Sequence, residues 1–448
     1  MIQIEQLIHC RWLLPIAPEN IILENHSIAL EKGKILAFGP TNQMNHQYVG
    51  KQTLKLDNHV VLPGFVNCHT HAAMNLYRGM ADDVSFVHWL NKSILPAEKT
   101  ICSPEAILDG SKLAVAEMLR TGTTCFNDHY FMPNLTAKLA RELNIRACLG
   151  LQIYNVENQW AKDADDAINK GISLYQHAEK HELNHWLLAP HAPYSVTDDN
   201  FRRIKQLSDQ YNLRIHIHLC ESEAENQHSF RQYQCRPIER MNKLGLINEK
   251  LIAVHMLFVN QAEIELCAAQ HVNIVHCPES NMKLANGFAP ITQYMNQGIN
   301  VALGTDGVAS NNDLDMLGEA RTASFAAKAI NQNPETLSAL ELLKMMTLNG
   351  AIAVGLDSLI GSIEPGKSAD IIAVDLSDPL TQPVYNPASH LIYCASKTQV
   401  SDVWVAGKKV LDRGEFTIID KEELKQIANK WQPKVVAALQ NAQSIEAL

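Results

Sequence analysis

The chain has 448 residues, 46% of them hydrophobic and 19% charged, a globular composition with room for one large and one small domain. A net charge of −10 without a basic stripe argues against nucleic acid as the main partner, because phosphate binding needs clustered Lys and Arg. No segment approaches the ~20 consecutive apolar residues of a membrane helix, so no membrane partner is expected.

The opening stretch MIQIEQLIHCRWLLPIAPEN carries a short apolar run but lacks the basic region, long apolar core and small-residue cleavage site of a secretory signal. Ten cysteines make no tight CxxC pair, and a cytoplasmic protein without a disulfide framework is expected. Residues 21–57 hold short strands broken by EKGK and FGP turns. From Val61 to about Ile363, β-branched runs alternate with longer helical patterns, the mark of βα units around a parallel sheet. Eight strand candidates follow in order: VLPGFVNCHTH, GTTCFNDHY, IRACLGLQI, HWLLAPHAPY, LRIHIHLCE, LIAVHMLF, VNIVHCPESN and NVALGTDG. The helix after the first of these opens with a Ser103 cap and Pro104. It lines Ile107, Leu108, Val115, Met118 and Leu119 along one face and stops near Gly122. Eight such units read as an α/β fold, a TIM (β/α)8 barrel with its chemistry at the C-terminal ends of the strands. The turn PGKSAD, Pro365 to Asp370, returns the chain, and 370–416 repeat the short-strand pattern around WVAGKKVLDRG. The expected organisation is a composite β-sandwich from 1–57 and 369–420, a barrel from 58–368 and a surface helix from 421–448.

Polar residues gather at nearly every strand end. His69 and His71 stand at i and i+2, so both side chains leave one face of the strand and can converge on one ion; a neutral imidazole pair suits zinc. An isolated HxH is a short motif that also fits polar residues at a barrel mouth. On the fifth strand, RIHIHLCE, His216 and His218 share a face one pleat apart, and spacing alone does not choose between them. Asp306 in LGTDG alone would read as a turn aspartate.

Four separated stretches, PGFVNCHTH, HLCESEAE, HCPESNMKL and LGTDGVASNNDLDM, resemble the amidohydrolase superfamily, and within it the branch of 5-methylthioadenosine/S-adenosylhomocysteine deaminases. The resemblance runs from the N-terminal strands to WVAGKKV. It implies one divalent metal ion, zinc with iron or manganese as alternatives, held by His69, His71, His218 and Asp306. His218 is favoured over His216 because it begins the HxxE pattern completed by Glu221, which leaves His216 a buried, hydrogen-bonded structural role. Asp306 would also take the proton of the attacking water, His255 would orient that water, and Glu221 would bind and protonate a ring nitrogen of the substrate. Strand four ends in APHAPYS, without the lysine that bridges two metals in binuclear relatives, which favours a single ion. His191 there and Glu98 in ILPAEKTICSPE would contact substrate, Glu98 at the ribose hydroxyls.

The activity so implied is hydrolytic deamination of an adenine nucleoside with release of ammonia. The expected substrate is 5′-methylthioadenosine, giving 5′-methylthioinosine, with S-adenosylhomocysteine and adenosine as further candidates. Some relatives place an arginine after strand three. Here Arg146 precedes that strand's core, which disfavours recognition of an amino-acid tail; Trp160 or Tyr154 is the alternative pocket wall. Other readings are a guanine-derivative deaminase or chlorotriazine hydrolase on the same scaffold, and a non-catalytic scaffold protein. The last conflicts with a full set of ligands. A homo-oligomer is the family expectation.

Overall fold

One long strand, Tyr48–Pro63, leads through Gly64 into the first strand of a second sheet, so the two halves of the fold share a continuous run of chain. The computed structural model describes residues 1–446, with side chains to residue 441. The second sheet consists of β1 (Phe65–Thr70), β2 (Thr123–Asp128), β3 (Arg146–Ile153), β4 (Asn184–Pro190), β5 (Ile215–Leu219), β6 (Leu251–His255), β7 (Asn273–His276) and β8 (Asn300–Leu303). Each pairs in parallel with the next, as the alternating sequence pattern implied. Most of these strands are buried from end to end and therefore read as apolar runs rather than alternations. Just past β8 the ring closes on β1. Asn67 donates to Thr305 Oγ1 at 2.7 Å, Thr305 N–H donates back to Asn67 Oδ1 at 3.0 Å, and Asp306 N–H reaches the His69 carbonyl at 3.0 Å. Gly304 permits this approach, since a Cβ there would lie 2.8 Å from the His69 nitrogen.

The helix expected after β1 runs from Pro104 to Arg120, with the Ser103 side chain accepting from Ala106 N–H and Gly122 at φ +91° beyond its end. Below the mouth, Val66, Cys68, Cys125, Cys148, Leu187, Ile252, Val254 and Val275 fill the barrel. All ten cysteines are free and nine are buried, where they act as small apolar side chains.

Strands from both chain ends hydrogen-bond into one mixed eight-stranded sheet. Ile2–Leu13, earlier than the first strand read from the sequence, pairs in parallel with Tyr48–Pro63 and antiparallel with Leu23–Glu31. Ile371–Asp375 joins the other edge of Tyr48–Pro63, antiparallel. Ile8, Leu13, Ile28, Val61, Ile371 and Trp404 share one core drawn from both ends. Arg146, the first residue of β3, clasps Asp370, which immediately precedes the strand Ile371–Asp375, through Nε at 2.9 Å and Nη2 at 3.1 Å, both side chains about 1% exposed. Its role is therefore structural, at the strand end opposite the barrel mouth.

The C-terminal helix, Lys421–Glu446, is less superficial than its polar composition implied; Ala447 and Leu448 lie outside the described residues. Ile427, Trp431, Val435 and Ala438 are buried at helical spacing with Ile94 and Ile101, and the indole N–H of Trp431 donates to Asp109 at 2.7 Å. That face supports the loop and helix that roof the barrel mouth. Among the described residues no helix is long and apolar enough to cross a membrane.

Candidate metal centre and active site

The barrel brings His69, His71, His218, His255, Glu221 and Asp306 to one mouth, as the sequence reading expected. His69 is the penultimate residue of β1 and His71 the first beyond it; His218 is on β5 and His255 ends β6. Asp306 follows β8. His255 and Asp306 have φ of +73° and +61°, a left-handed backbone that a non-glycine residue adopts at a cost of order 1–3 kcal/mol and that here aims both side chains inward.

Asp306 Oδ1 lies 3.3 Å from His69 Nε2 and 3.2 Å from His71 Nε2, and His71 Nε2 lies 3.4 Å from His218 Nε2. The hydrogen bonds behind the rings fix their protonation. His71 Nδ1 meets the His129 carbonyl at 2.7 Å and His218 Nδ1 meets the His191 carbonyl at 2.7 Å. A carbonyl only accepts, so both neutral rings carry hydrogen on Nδ1 and turn lone pairs on Nε2 toward each other. In the neutral rings two imidazole lone pairs thus converge with a carboxylate oxygen, an arrangement that calls for a cation among them, a metal ion or, in its absence, a proton shared with Asp306. The spacing agrees: tetrahedral ligands at ~2.0–2.1 Å from zinc stand about 3.3 Å apart. His69 Nε2 is buried and has no hydrogen-bond partner. The residues present therefore fit one divalent ion.

A second grouping, His69, His218 and His255, also brings its donor atoms within 4.8 Å of one another and shares His69 and His218 with the first four residues. His255 stands at the rim of the cluster, with Nε2 3.9 Å from Glu221 Oε1. His216 is hydrogen-bonded to the cluster, its Nε2 2.9 Å from His69 Nδ1. Burial and the surrounding imidazoles hold His218 and His216 well below the usual histidine range, and burial brings His69 to about 4, which keeps these rings neutral. Burial opposes charge on His71 too, but Asp306 outweighs it and raises the ring. Asp306 behaves conversely: burial disfavours its ionisation, yet the paired His69 and His71 hold its carboxyl well below the usual range.

The cavity above this cluster is lined by Glu98, Tyr154, His191 and Glu221, and roofed by Phe86, Trp89 and Leu90. Tyr130 donates to Glu98 at 2.7 Å, and burial raises the Glu98 carboxyl. His191 is neutral, lowered to about 3 by burial and by His71 and His69; its Nδ1 contacts Ser195 Oγ at 3.0 Å. Of the two aromatics considered for the wall, Tyr154 lines the cavity 4.8 Å from the His191 ring, whereas Trp160 packs with the apolar cluster beneath the C-terminal helix. Among the described residues no Lys or Arg lines the cavity.

A model of the amidohydrolase family matches residues 60–410. The chain belongs to the amidohydrolase family. It is a hydrolase acting on a carbon–nitrogen bond. It is 38% identical over 434 residues to a 5-methylthioadenosine/S-adenosylhomocysteine deaminase of Teredinibacter turnerae, covering 97% of this chain and 98% of that one. A protein of the same name from Thermodesulfovibrio yellowstonii is 35% identical over 431 residues, 96% and 98% of the two chains. The crystal structure of an adenosine deaminase from Xanthomonas campestris with bound zinc superposes with a TM-score of 0.96 at 42% identity, over 97% of this chain and 99% of that one. An atrazine chlorohydrolase of Arthrobacter aurescens, 23% identical with a TM-score of 0.89 over 95% and 99% of the chains, shares the fold.

Several residues at the amidohydrolase mouth escaped the sequence reading. His129 supplies the carbonyl behind His71, Tyr130 holds Glu98, and Asp128 accepts from Ala72 N–H at 2.7 Å where the chain turns away after His71. The NDHY end of β2 carries all three, but only proximity in three dimensions gives them a role.

Proposed function

We propose that the protein is a zinc-dependent hydrolytic deaminase of adenine nucleosides, with 5′-methylthioadenosine as the first substrate to test. The observation that carries this reading is the juxtaposition of a four-donor cluster fit for a metal, His69, His71, His218 and Asp306, with the partly buried carboxyl of Glu221 at its edge. The names of whole-length relatives favour the adenine ring over a triazine, whose hydrolases share only the fold.

His69, His71, His218 and Asp306 would hold a divalent ion, which when bound would supply Lewis acidity and lower the pKa of water to about 7. Asp306 takes the proton released as the nucleophile forms, and His255 orients the attack on the amino-bearing carbon. Glu221 gives a proton to the neighbouring ring nitrogen, which prevents negative charge from building on the ring. Burial, with Asp306 adding to it, raises the Glu221 carboxyl above its usual range, the direction a proton donor needs. Asp306 then passes its proton to the amino group, which leaves as ammonia, and the new hydroxyl returns a proton to Glu221 as the ring carbonyl forms. Glu98 receives the ribose hydroxyls, with Tyr130 fixing one of its oxygens, and His191 faces the purine.

A cavity without lysine or arginine suits an uncharged 5′ substituent better than a zwitterionic tail, which places 5′-methylthioadenosine and adenosine ahead of S-adenosylhomocysteine. The free cysteines fit a reducing cytoplasm. Ammonia release from metal-loaded protein with each of the three nucleosides, guanine and a chlorotriazine separates the readings. Ammonia from guanine alone, or chloride from the triazine, would overturn the proposal.

A further inference from the structure

The stretch HCPESNMKL contributes no ligand and no proton donor to the reaction, yet the chain from Pro278 to Asn286 touches the two proton carriers, Asp306 and Glu221, and His255, which orients the attack. After β7 the chain forms a short helix, Pro278–Lys283, and runs on to Asn286. Ser280 Oγ lies 2.7 Å from Asp306 Oδ2, and Ser310, which is 3.0 Å from Ser280, donates to the same oxygen at 2.9 Å. Next in sequence, Asn281 Oδ1 lies 2.9 Å from His255 Nδ1. Asn286 Nδ2 reaches Glu221 Oε1 at 3.3 Å, and its own N–H is bound to the Asn281 carbonyl at 2.9 Å. Ser280 and Asn281 are each about 1% exposed.

The chemistry of these contacts is directional. A carboxylate oxygen accepts only, so Ser280 and Ser310 must both donate, and they pin Oδ2 so that Oδ1 faces His69 and His71. An amide oxygen facing Nδ1 requires the hydrogen of His255 to sit there, leaving Nε2 as the lone pair on the Glu221 side. The segment is itself anchored from behind, Glu279 N–H donating to Glu319 at 3.2 Å and Thr322 Oγ1 to Glu279 at 2.7 Å.

We infer that Pro278–Asn286 is the positioning element of the reaction, with Ser280 setting the carboxylate plane of Asp306 and Asn281 setting the tautomer and tilt of His255. Neither residue touches substrate. The inference rests on the deaminase reading for its kinetic arm, so the test includes a readout that needs no substrate.

Ser280→Ala, Ser280→Thr, Asn281→Ala and Asn281→Asp would be compared with the unsubstituted protein, each loaded with one equivalent of zinc or cobalt(II). Both alanine variants are expected to keep the metal and the unfolding temperature, to lose about 10–100-fold in kcat and to hold KM within about twofold. Threonine restores the donor and aspartate the acceptor, so both are expected to recover most of the loss. In the cobalt-loaded protein, the visible d–d bands are expected to shift in Ser280→Ala and to return in Ser280→Thr. Unchanged bands in Ser280→Ala would overturn the role of Ser280 whether or not any nucleoside is turned over. Aspartate no better than alanine at position 281 would overturn the role of Asn281. A KM increase at constant kcat in either alanine variant would make that residue a substrate contact and refute positioning. If the bands shift as expected but no adenine nucleoside is consumed, the deaminase reading fails while the positioning of Asp306 stands.

Discussion

The two walls of the mouth are built differently. The histidine wall stands on or next to strands β1, β5 and β6, and hydrogen bonds through Nδ1 lock its rings: His71 to a backbone carbonyl, His218 to another, His69 to His216 and His255 to Asn281. The opposite wall carries Glu98 on a helix, Leu95–Ile101, that follows a turn of π-helix, beside Phe86, Trp89 and Leu90; Ile94, Ile101 and Trp89 share an apolar cluster with the C-terminal helix. On the proposed reading, the metal is held by side chains at barrel strand ends and the substrate is contacted from the inserted segment. Changes in the first wall should abolish the reaction, and changes in the second should retune it.

The largest effect is expected at the ion. His69→Ala removes a fully buried donor and should leave less than one equivalent of metal after dialysis, with kcat down by more than about 10³-fold; metal analysis beside the rate checks both. Glu221→Gln keeps the ligands and should retain the metal while losing about 10²–10⁴-fold in kcat. Near-normal turnover by metal-loaded Glu221→Gln would remove Glu221 from proton transfer. Acid should weaken the ion from the same side. Burial opposes charge on His71 but Asp306 outweighs it and raises the ring in the metal-free protein, so a proton competes for Nε2 at a higher pH than for an ordinary histidine, and zinc affinity measured by chelator competition should fall as pH is lowered.

On the other wall, Glu98→Gln should act mainly on KM, raising it about tenfold with the metal unchanged, which corresponds to about 1.4 kcal/mol. Tyr130→Phe, which removes a neutral hydroxyl from Glu98, should cost less, about 0.5–1 kcal/mol in kcat/KM. A loss of metal in either variant would erase the distinction between the walls.

The same division governed what the sequence disclosed. Barrel strands announced themselves because buried parallel strands are apolar runs that end in polar residues, and His69 with His71 was legible because i, i+2 spacing on a strand fixes a shared face. The choice of His218 over His216 needed the pattern completed by Glu221. In the structure His218 presents Nε2 to His71 Nε2, while His216 Nε2 meets His69 Nδ1. Trp160 and Tyr154 were indistinguishable as loop aromatics until packing sent one inward and one under the C-terminal helix. Ser280, Asn281 and Tyr130 went unread because a hydroxyl or amide acquires its role from a partner distant in sequence, here Asp306, His255 or Glu98. The Lys421–Glu446 helix hid its apolar face among charged residues, and Ile427, Trp431, Val435 and Ala438 declare it only through their shared burial.

The central claim, one metal ion serving one adenine-nucleoside site, is tested most directly by titrating zinc into metal-stripped protein while following ammonia release from 5′-methylthioadenosine. The expected rate rises from near zero and saturates at one equivalent per chain. A rate that saturates only at two equivalents, or no ammonia at any zinc level from 5′-methylthioadenosine or adenosine, would contradict it.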